Sequence, residues 1–346
     1  MTRKPTRTID QDFRDLPRSL SIVLDRLFGP GRAQLDEARA TVLSGRPVIV
    51  TGMGGSFHVA VPLVYHLSAM GIFANLIETG ELVRHRLPLC RNAVVVVISQ
   101  SGATIETVQL LEAMVGLNAV TIGVTNEEPG ALARRAHHPV IVGSPRDTMA
   151  AMQTYVGTMA VLLALSGRAG LTDRPHFEPA VTAISEIIAD ETIGGDGFPG
   201  REGPVYVFGR GPSVGSARAA ALLIHEIART PAVPMTGGNF RHGPVEVIDE
   251  NFRAIGFAPA DRDEDLNLAL AHDIRNAGGQ VRLIGPGRDW SYRSISPLLA
   301  PLVEIVPAQR AALALARARG LTPGEFRFAS KVTRTESGLK GSDGEA

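Results

Sequence analysis

The 346-residue chain holds one cysteine, no surplus charge and no long apolar stretch. Cys90, alone, excludes an internal disulfide and any multi-cysteine metal centre. Lysine plus arginine equal aspartate plus glutamate at 35 each, so the formal net charge is +0. Nothing in the charge therefore points to nucleic acid or to an anionic membrane as partner. No apolar run approaches the roughly 20 residues of a membrane span. The basic opening Met1–Arg7 leads into no apolar segment of the secretory kind, so a soluble, cytoplasmic protein is expected. Hydrophobic residues at 44% against 20% charged are enough for a sizeable core.

What is present is a strand-and-helix alternation, centred on Ala93-Val94-Val95-Val96-Val97-Ile98-Ser99-Gln100-Ser101-Gly102-Ala103-Thr104. The β-branched run reads as a strand buried on both faces, and the helical spacing from Ile105 follows a short hydroxyl-rich turn. Ligands of open α/β sheets bind at the carboxyl ends of the strands, where a helix N-terminus offers N–H groups to an anion. Ser99, Ser101 and Thr104 add hydroxyls, and Gly102 permits close backbone approach, so a phosphate on a small molecule suits this turn. A plain helix cap is the competing reading.

The remaining elements follow the same logic. Strands are expected at 47–51, 72–77, 119–124 and 139–142, with helices at 57–70, 147–166 and 179–193. The second half restarts the plan: Pro204–Ser213 lies over Val48–Ser56, and at the same offset Phe252–Ala258 falls over 93–98. Pro259-Ala260-Asp261-Arg262-Asp263 then stands where the hydroxyl turn would be, so the phosphate site is expected in one half only. The organisation expected is an N-terminal helical arm (1–31), a first domain (32–170), a linker helix (171–203), a second domain (204–335) and a flexible tail (336–346). Each domain is read as α/β, a parallel sheet flanked by helices in a flavodoxin- or Rossmann-like three-layer sandwich.

Three further stretches can carry chemistry. Gly52-Met53-Gly54-Gly55-Ser56 begins like a dinucleotide fingerprint but lacks its third glycine and its acidic partner, which leaves a tight turn with amides facing a ligand. Glu226 sits among Leu222, Leu223, Ile224 and Ile227; burial would raise its pKa and make it a base near neutrality, whereas at the helix edge it would meet an arginine. Gly237–Pro244 presents Arg241 and His242 on a glycine-framed loop, where a histidine can move a proton near pH 7 or simply be solvated. His137-His138 has no acidic partner at a useful spacing and is read as loop. No metal and no cofactor is called for.

Taken together, the Gly52–Ser56 turn, Ser99–Thr104, Glu226, Arg241-His242-Gly243-Pro244 and the tail Ala329–Thr333 resemble the double-SIS (sugar isomerase) domain family. They are similar to the isomerase half of glucosamine-fructose-6-phosphate aminotransferase, in family order over about residues 9–335. The resemblance implies that Ser99, Gln100, Ser101 and Thr104 hold a sugar phosphate with help from Ser56 and the backbone of Gly54 and Gly55. It implies Glu226 as the base between C1 and C2, His242 of a neighbouring subunit opening the sugar ring, Arg241 and Lys331 nearby, and hence a homodimer with shared active sites. The chain departs from the synthase pattern: Leu223 replaces a lysine, Lys331 is shifted by one place, Ala151-Met152-Gln153 replaces Ser-Thr-Lys, and no glutaminase segment is seen. Expected is a phosphosugar isomerase or aminosugar-phosphate deaminase, most simply glucosamine 6-phosphate to fructose 6-phosphate plus ammonia. A fructosamine-type 6-phosphate deglycase and a non-catalytic sugar-phosphate regulator stay open.

Overall fold

The computed structural model describes residues 7–196 and 202–328; Lys331, the rest of Ala329–Thr333 and the tail 336–346 lie outside the described residues. The chain divides into two units, one of residues 18–176 and the other of 177–325 with the N-terminal residues up to 17. The helices α1 (Ile9–Arg14), α2 (Leu16–Phe28) and α3 (Arg32–Val42) come first. Thr8 starts α1 with a capping box, its hydroxyl accepting from the Gln11 amide while the Gln11 side chain reaches back.

In the N-terminal unit the chain runs β1 (Val48–Gly52), α4 (Gly55–His58), α5 (Val61–Ser68), β2 (Ala74–Glu78), α6 (Thr79–Glu81), β3 (Val94–Ile98), α7 (Ile105–Ala113), β4 (Val120–Thr125), α8 (Ala131–Arg135), β5 (His138–Ile141) and α9 (Gln153–Leu165). All five strands are parallel, in the order β2-β1-β3-β4-β5. β3 is central and fully buried, as its unbroken valine run requires. On one face Ile49, Val95 and Val97 pack with Leu110, Leu111, Met114 and Leu132. The direction in which successive strands are added reverses between β1 and β3, the flavodoxin-like switch at which such sheets open a crevice.

The C-terminal unit holds α10 (Glu178–Ala189), β6 (Val205–Gly209), α11 (Ser213–Ala228), β7 (Ala232–Thr236), α12 (Gly237–Phe240), β8 (Arg253–Phe257), α13 (Glu264–Asn276), β9 (Gln280–Ile284) and α14 (Ala300–Ala318). Its sheet is also parallel, ordered β7-β6-β8-β9, with the reversal between β6 and β8. Phe208, Phe240, Phe252, Leu270 and Ile274 build its core, and Tyr206 stacks on Phe252 at 4.8 Å. Arg310 of α14 donates to the carbonyls of Ile187, Ile188, Asp190 and Ile193, closing the C-terminal end of α10 where backbone acceptors lack helical partners.

Two local expectations are corrected, and two elements were not foreseen from sequence. The helix expected from 147 starts only at Gln153, because the Asp147 carboxylate accepts from the amides of Gln153 (2.8 Å) and Thr154 (3.0 Å) and so caps it from six residues upstream. His138 is not loop but the first residue of β5, and the His137 ring accepts from the Thr121 amide at 3.0 Å. β7 escaped the sequence reading since Pro234 interrupts it; the strand is at the sheet edge, where a missing N–H is tolerated. Pro297–Ala318 is long and apolar enough by composition to cross a membrane, at 22 residues and mean hydropathy 1.5, yet 89% of its most apolar window is buried inside the protein.

Candidate active site

The carboxyl edge of the first sheet gathers the hydroxyl turn and the glycine turn. Gly52 pairs with Ile98 across β1 and β3, so Met53-Gly54-Gly55-Ser56 and Ser99–Thr104 leave the sheet side by side at the reversal point. A Cβ on Gly52 would lie 2.8 Å from the Ser56 carbonyl group, so only glycine allows this turn. Gly102 adopts φ +61°, donates its N–H to the Ser99 carbonyl at 3.1 Å, and has Thr125 Oγ1 3.0 Å from where a Cβ would be.

Thr104 occupies the N-cap of α7 with extended dihedrals, but its hydroxyl does not cap the helix. It meets Thr107 Oγ1 at 2.7 Å instead, leaving the first-turn amides of α7 with no side-chain cap. Ser99 is 4% exposed, and its Oγ has no hydrogen-bond partner among the described residues. A buried hydroxyl beside uncapped amides is a set of unspent donors converging on one edge. The edge continues at β2, where Glu78 caps α6 by accepting from the Gly80 and Glu81 amides and Thr51 Oγ1 donates to Thr79 Oγ1 at 3.0 Å.

In the C-terminal unit Glu226 lies in the last turns of α11, half-buried. Desolvation pushes its carboxyl up to about 7. Among the described residues of this unit no hydrogen bond or ion pair reaches that carboxylate, so the arginine-paired alternative is not what is found. The neighbouring His225 is turned outward, its Nε2 accepting from the Ala232 amide at 2.8 Å. Arg241 and His242 are exposed and follow α12, whose first turn is capped by Thr236 Oγ1 on the Asn239 amide. Arg241 is paired with Asp273 at 2.7 Å, and Gly243 at φ +121° turns the chain behind His242.

The structure thus brings Gly54, Gly55, Ser56, Ser99, Gln100, Ser101 and Thr104 to one sheet edge within one unit. Glu226, Arg241 and His242 belong to the other unit. One polar group at the first edge had passed unnoticed: Glu106, in the first turn of α7, is 4% exposed with Oε2 unpartnered among the described residues. An acidic residue at that position reads from sequence as an ordinary helix-dipole partner, so no pattern marked it. A separate cleft of about 310 Å³ lies along β5, lined by Arg26, Leu27, Glu128, Pro139 and Ile141, and contains none of the candidate site residues.

Comparison with known proteins bears on this edge. Residues 44–166 match the SIS domain, a span that includes both turns and α7. Over 314 residues the chain is 26% identical to the isomerizing glutamine–fructose-6-phosphate aminotransferase of Pyrococcus horikoshii, which covers 84% of this chain and 52% of that protein. The chain spans about half the length of the curated relatives it matches. Among solved structures, tagatose-6-phosphate ketose/aldose isomerase from Escherichia coli superposes with a TM-score of 0.80 at 19% identity, covering 92% of this chain and 96% of that one. Glucosamine-6-phosphate deaminase from Thermotoga maritima superposes with a TM-score of 0.74 at 18% identity, covering 94% and 99%. At these identities the two structures share the fold with this chain.

Proposed function

We propose that this chain is a phosphosugar isomerase that deaminates an aminosugar 6-phosphate, with glucosamine 6-phosphate as leading substrate. The observation that carries the reading is the N-terminus of α7: uncapped amides, a buried Ser99 hydroxyl without partner, and Ser101, Thr104 and Ser56 on the same edge. Those donors suit a dianionic phosphate. The relatives named above act on sugar 6-phosphates by their names, which supports the same substrate class.

Glu226 is the proton-transfer base in this proposal. A carboxyl near pKa 7 accepts a proton in its ionised form and returns it readily, the balance general acid–base chemistry needs. On the open-chain aminosugar, Glu226 takes the C2 proton, giving an enolamine across C1 and C2, and returns a proton to C1. The C2 imine that results adds water and expels ammonia, leaving fructose 6-phosphate. His242, exposed behind its glycine turn, opens the ring, and in this reading it serves a second protomer of a homodimer. The second sheet is read as a second copy of the same domain, without the phosphate turn.

Ammonia release from purified protein over a panel of aminosugar 6-phosphates tests the proposal. The expected result is release from glucosamine 6-phosphate, reduced about 10²- to 10⁴-fold in Glu226→Gln with binding retained, and a raised KM in Ser101→Ala. Silence on that panel with turnover of amine-linked fructose 6-phosphates would replace the deaminase by a deglycase. Phosphosugar binding without any turnover would leave a regulator, and no binding at all would overturn the phosphate assignment.

A further inference from the structure

Gly237 and Gly238 open the loop that carries His242, and neither has the positive φ that would itself call for glycine. What they provide is room. A Cβ on Gly237 would lie 3.1 Å from Nε of Arg210 and 3.2 Å from its Cζ and Nη2, and a Cβ on Gly238 would lie 3.6 Å from Nη1. The guanidinium thus lies along the glycine pair, in the space two side chains would take. Strand register brings the two together. Gly209 at the end of β6 pairs with Thr236 at the end of β7, so Arg210 and Gly237 leave the sheet side by side.

Arg210 rises from an interior strand, whereas the loop leaves an edge strand. Its carbonyl accepts from the Ser213 amide at 3.1 Å, at the start of α11. Among the described residues no carboxylate pairs with Arg210, and its buried Nε has no acceptor. A planar guanidinium packed on backbone without an acid beside it acts through its shape. The contact reaches the histidine in two backbone steps. The Gly238 carbonyl accepts from the Arg241 amide at 3.0 Å, and the Asn239 carbonyl accepts from the His242 amide at 3.0 Å. Between them Phe240 is buried in the core against Tyr206 and Phe208. The exposed His242 side chain makes no hydrogen bond among the described residues, so its place is set by the backbone that carries it.

We propose that Arg210 is the positioning residue for His242: its guanidinium is the platform on which Gly237–Phe240 rests, and it holds the histidine at the reach from which the sugar ring is opened. The role rests on the ring-opening step proposed above for His242. A displaced catalytic group costs up to about 100-fold in rate, and the phosphate turn belongs to the other unit, so losing the platform lowers kcat and spares KM.

The test compares Arg210→Ala, Arg210→Lys, Gly237→Ala and His242→Ala in the full chain, by kcat and KM for ammonia release from glucosamine 6-phosphate and by amide exchange at Arg241 and His242. Arg210→Ala strands no charged partner, so it folds, which the unfolding midpoint verifies. Expected in Arg210→Ala are exchange of both amides about fivefold faster and kcat about tenfold lower with KM nearly unchanged. Arg210→Lys keeps the charge but not the plane and behaves like the alanine variant. Gly237→Ala, which pushes the guanidinium away, gives the same loss and adds nothing to Arg210→Ala. In the His242→Ala background Arg210→Ala costs no further activity, as two residues acting in one step require. Unchanged exchange in Arg210→Ala, full activity in Arg210→Lys, a raised KM at unchanged kcat, or losses that add to those of His242→Ala would each overturn the positioning role. A fully active His242→Ala, or no turnover of any phosphosugar, would instead overturn the ring-opening reading, and the inference with it.

Discussion

A base held near neutrality by burial has a cost that can be measured without any substrate. Glu226 has its carboxyl pushed up to about 7 by desolvation, from an ordinary value of 4.5. Its folded pKa is raised, so the folded state holds the proton more tightly than the unfolded state between those two values. Stability therefore falls as pH rises from about 4.5 to about 7, and the loss is complete above 7. With 1.36 kcal/mol per pKa unit the ionised carboxylate lowers stability by about 3 kcal/mol at pH 8 but by just under ~1 kcal/mol at pH 5. Glu226→Gln removes the charge while keeping the shape. It should raise the free energy of unfolding by up to about 3 kcal/mol at pH 8, relative to the wild type, and by much less at pH 5. Urea unfolding of both proteins at the two pH values measures this directly. The same variant should lose turnover, and the wild-type kcat/KM should climb with pH to a plateau above about 7. A Gln variant whose stability difference does not change with pH would refute desolvation of Glu226, and with it the physical basis for calling it a base. A variant stabilised at high pH yet fully active would leave the desolvation and remove the catalytic role.

Other outcomes follow from single contacts. Gly102→Ala places a Cβ at a left-handed residue 3.0 Å from Thr125 Oγ1, so it should lose about 1–2 kcal/mol in chemical unfolding and weaken phosphosugar binding in calorimetry. Asp147→Ala removes the acceptor for the Gln153 and Thr154 amides, and thermal unfolding should report a loss of about 1–2 kcal/mol; Asp147→Asn should recover part of it. Arg310→Met strands the carbonyls of Ile187, Ile188 and Asp190 at the end of α10, costing about 2–4 kcal/mol with faster amide exchange concentrated in that helix. Gly52→Ala, whose Cβ would meet the Ser56 carbonyl group at 2.8 Å, should fold poorly or shift the turn, read as lost soluble yield or lost ligand binding.

Much of the first sheet was legible because its information is local. Five consecutive apolar residues with β-branching could only be a buried strand, and the polar turn followed by helical spacing marked where β3 ends and α7 begins. Gly52 and Gly102 were marked by their positions, and the structure supplies the reason in a carbonyl and a hydroxyl that leave no room for a Cβ. β7 was not legible, since Pro234 is tolerated only at an edge and edge status is a property of the whole sheet. The start of α9 was hidden for a similar cause: its cap, Asp147, lies six residues upstream and is brought back by the fold of the loop.

Sequence alone determined where the first sheet's central strand, its turns and its hydroxyls fall, because side-chain shape and spacing act within a few residues. Tertiary structure decided which polar groups were left without partners. Thr104 could have capped α7, but its hydroxyl goes to Thr107. Glu226 could have met an arginine, but among the described residues of its unit none reaches it, and water is excluded enough to hold its proton near neutral pH. Glu304, Tyr292 and Arg310 share one stretch of chain with apolar neighbours, and only packing made the first an acceptor for two serines, the second an unmet hydroxyl and the third a helix cap. Hydrogen bonding and desolvation depend on what surrounds an atom in space, and for Glu304 and Arg310 that surrounding comes from elements distant in the chain.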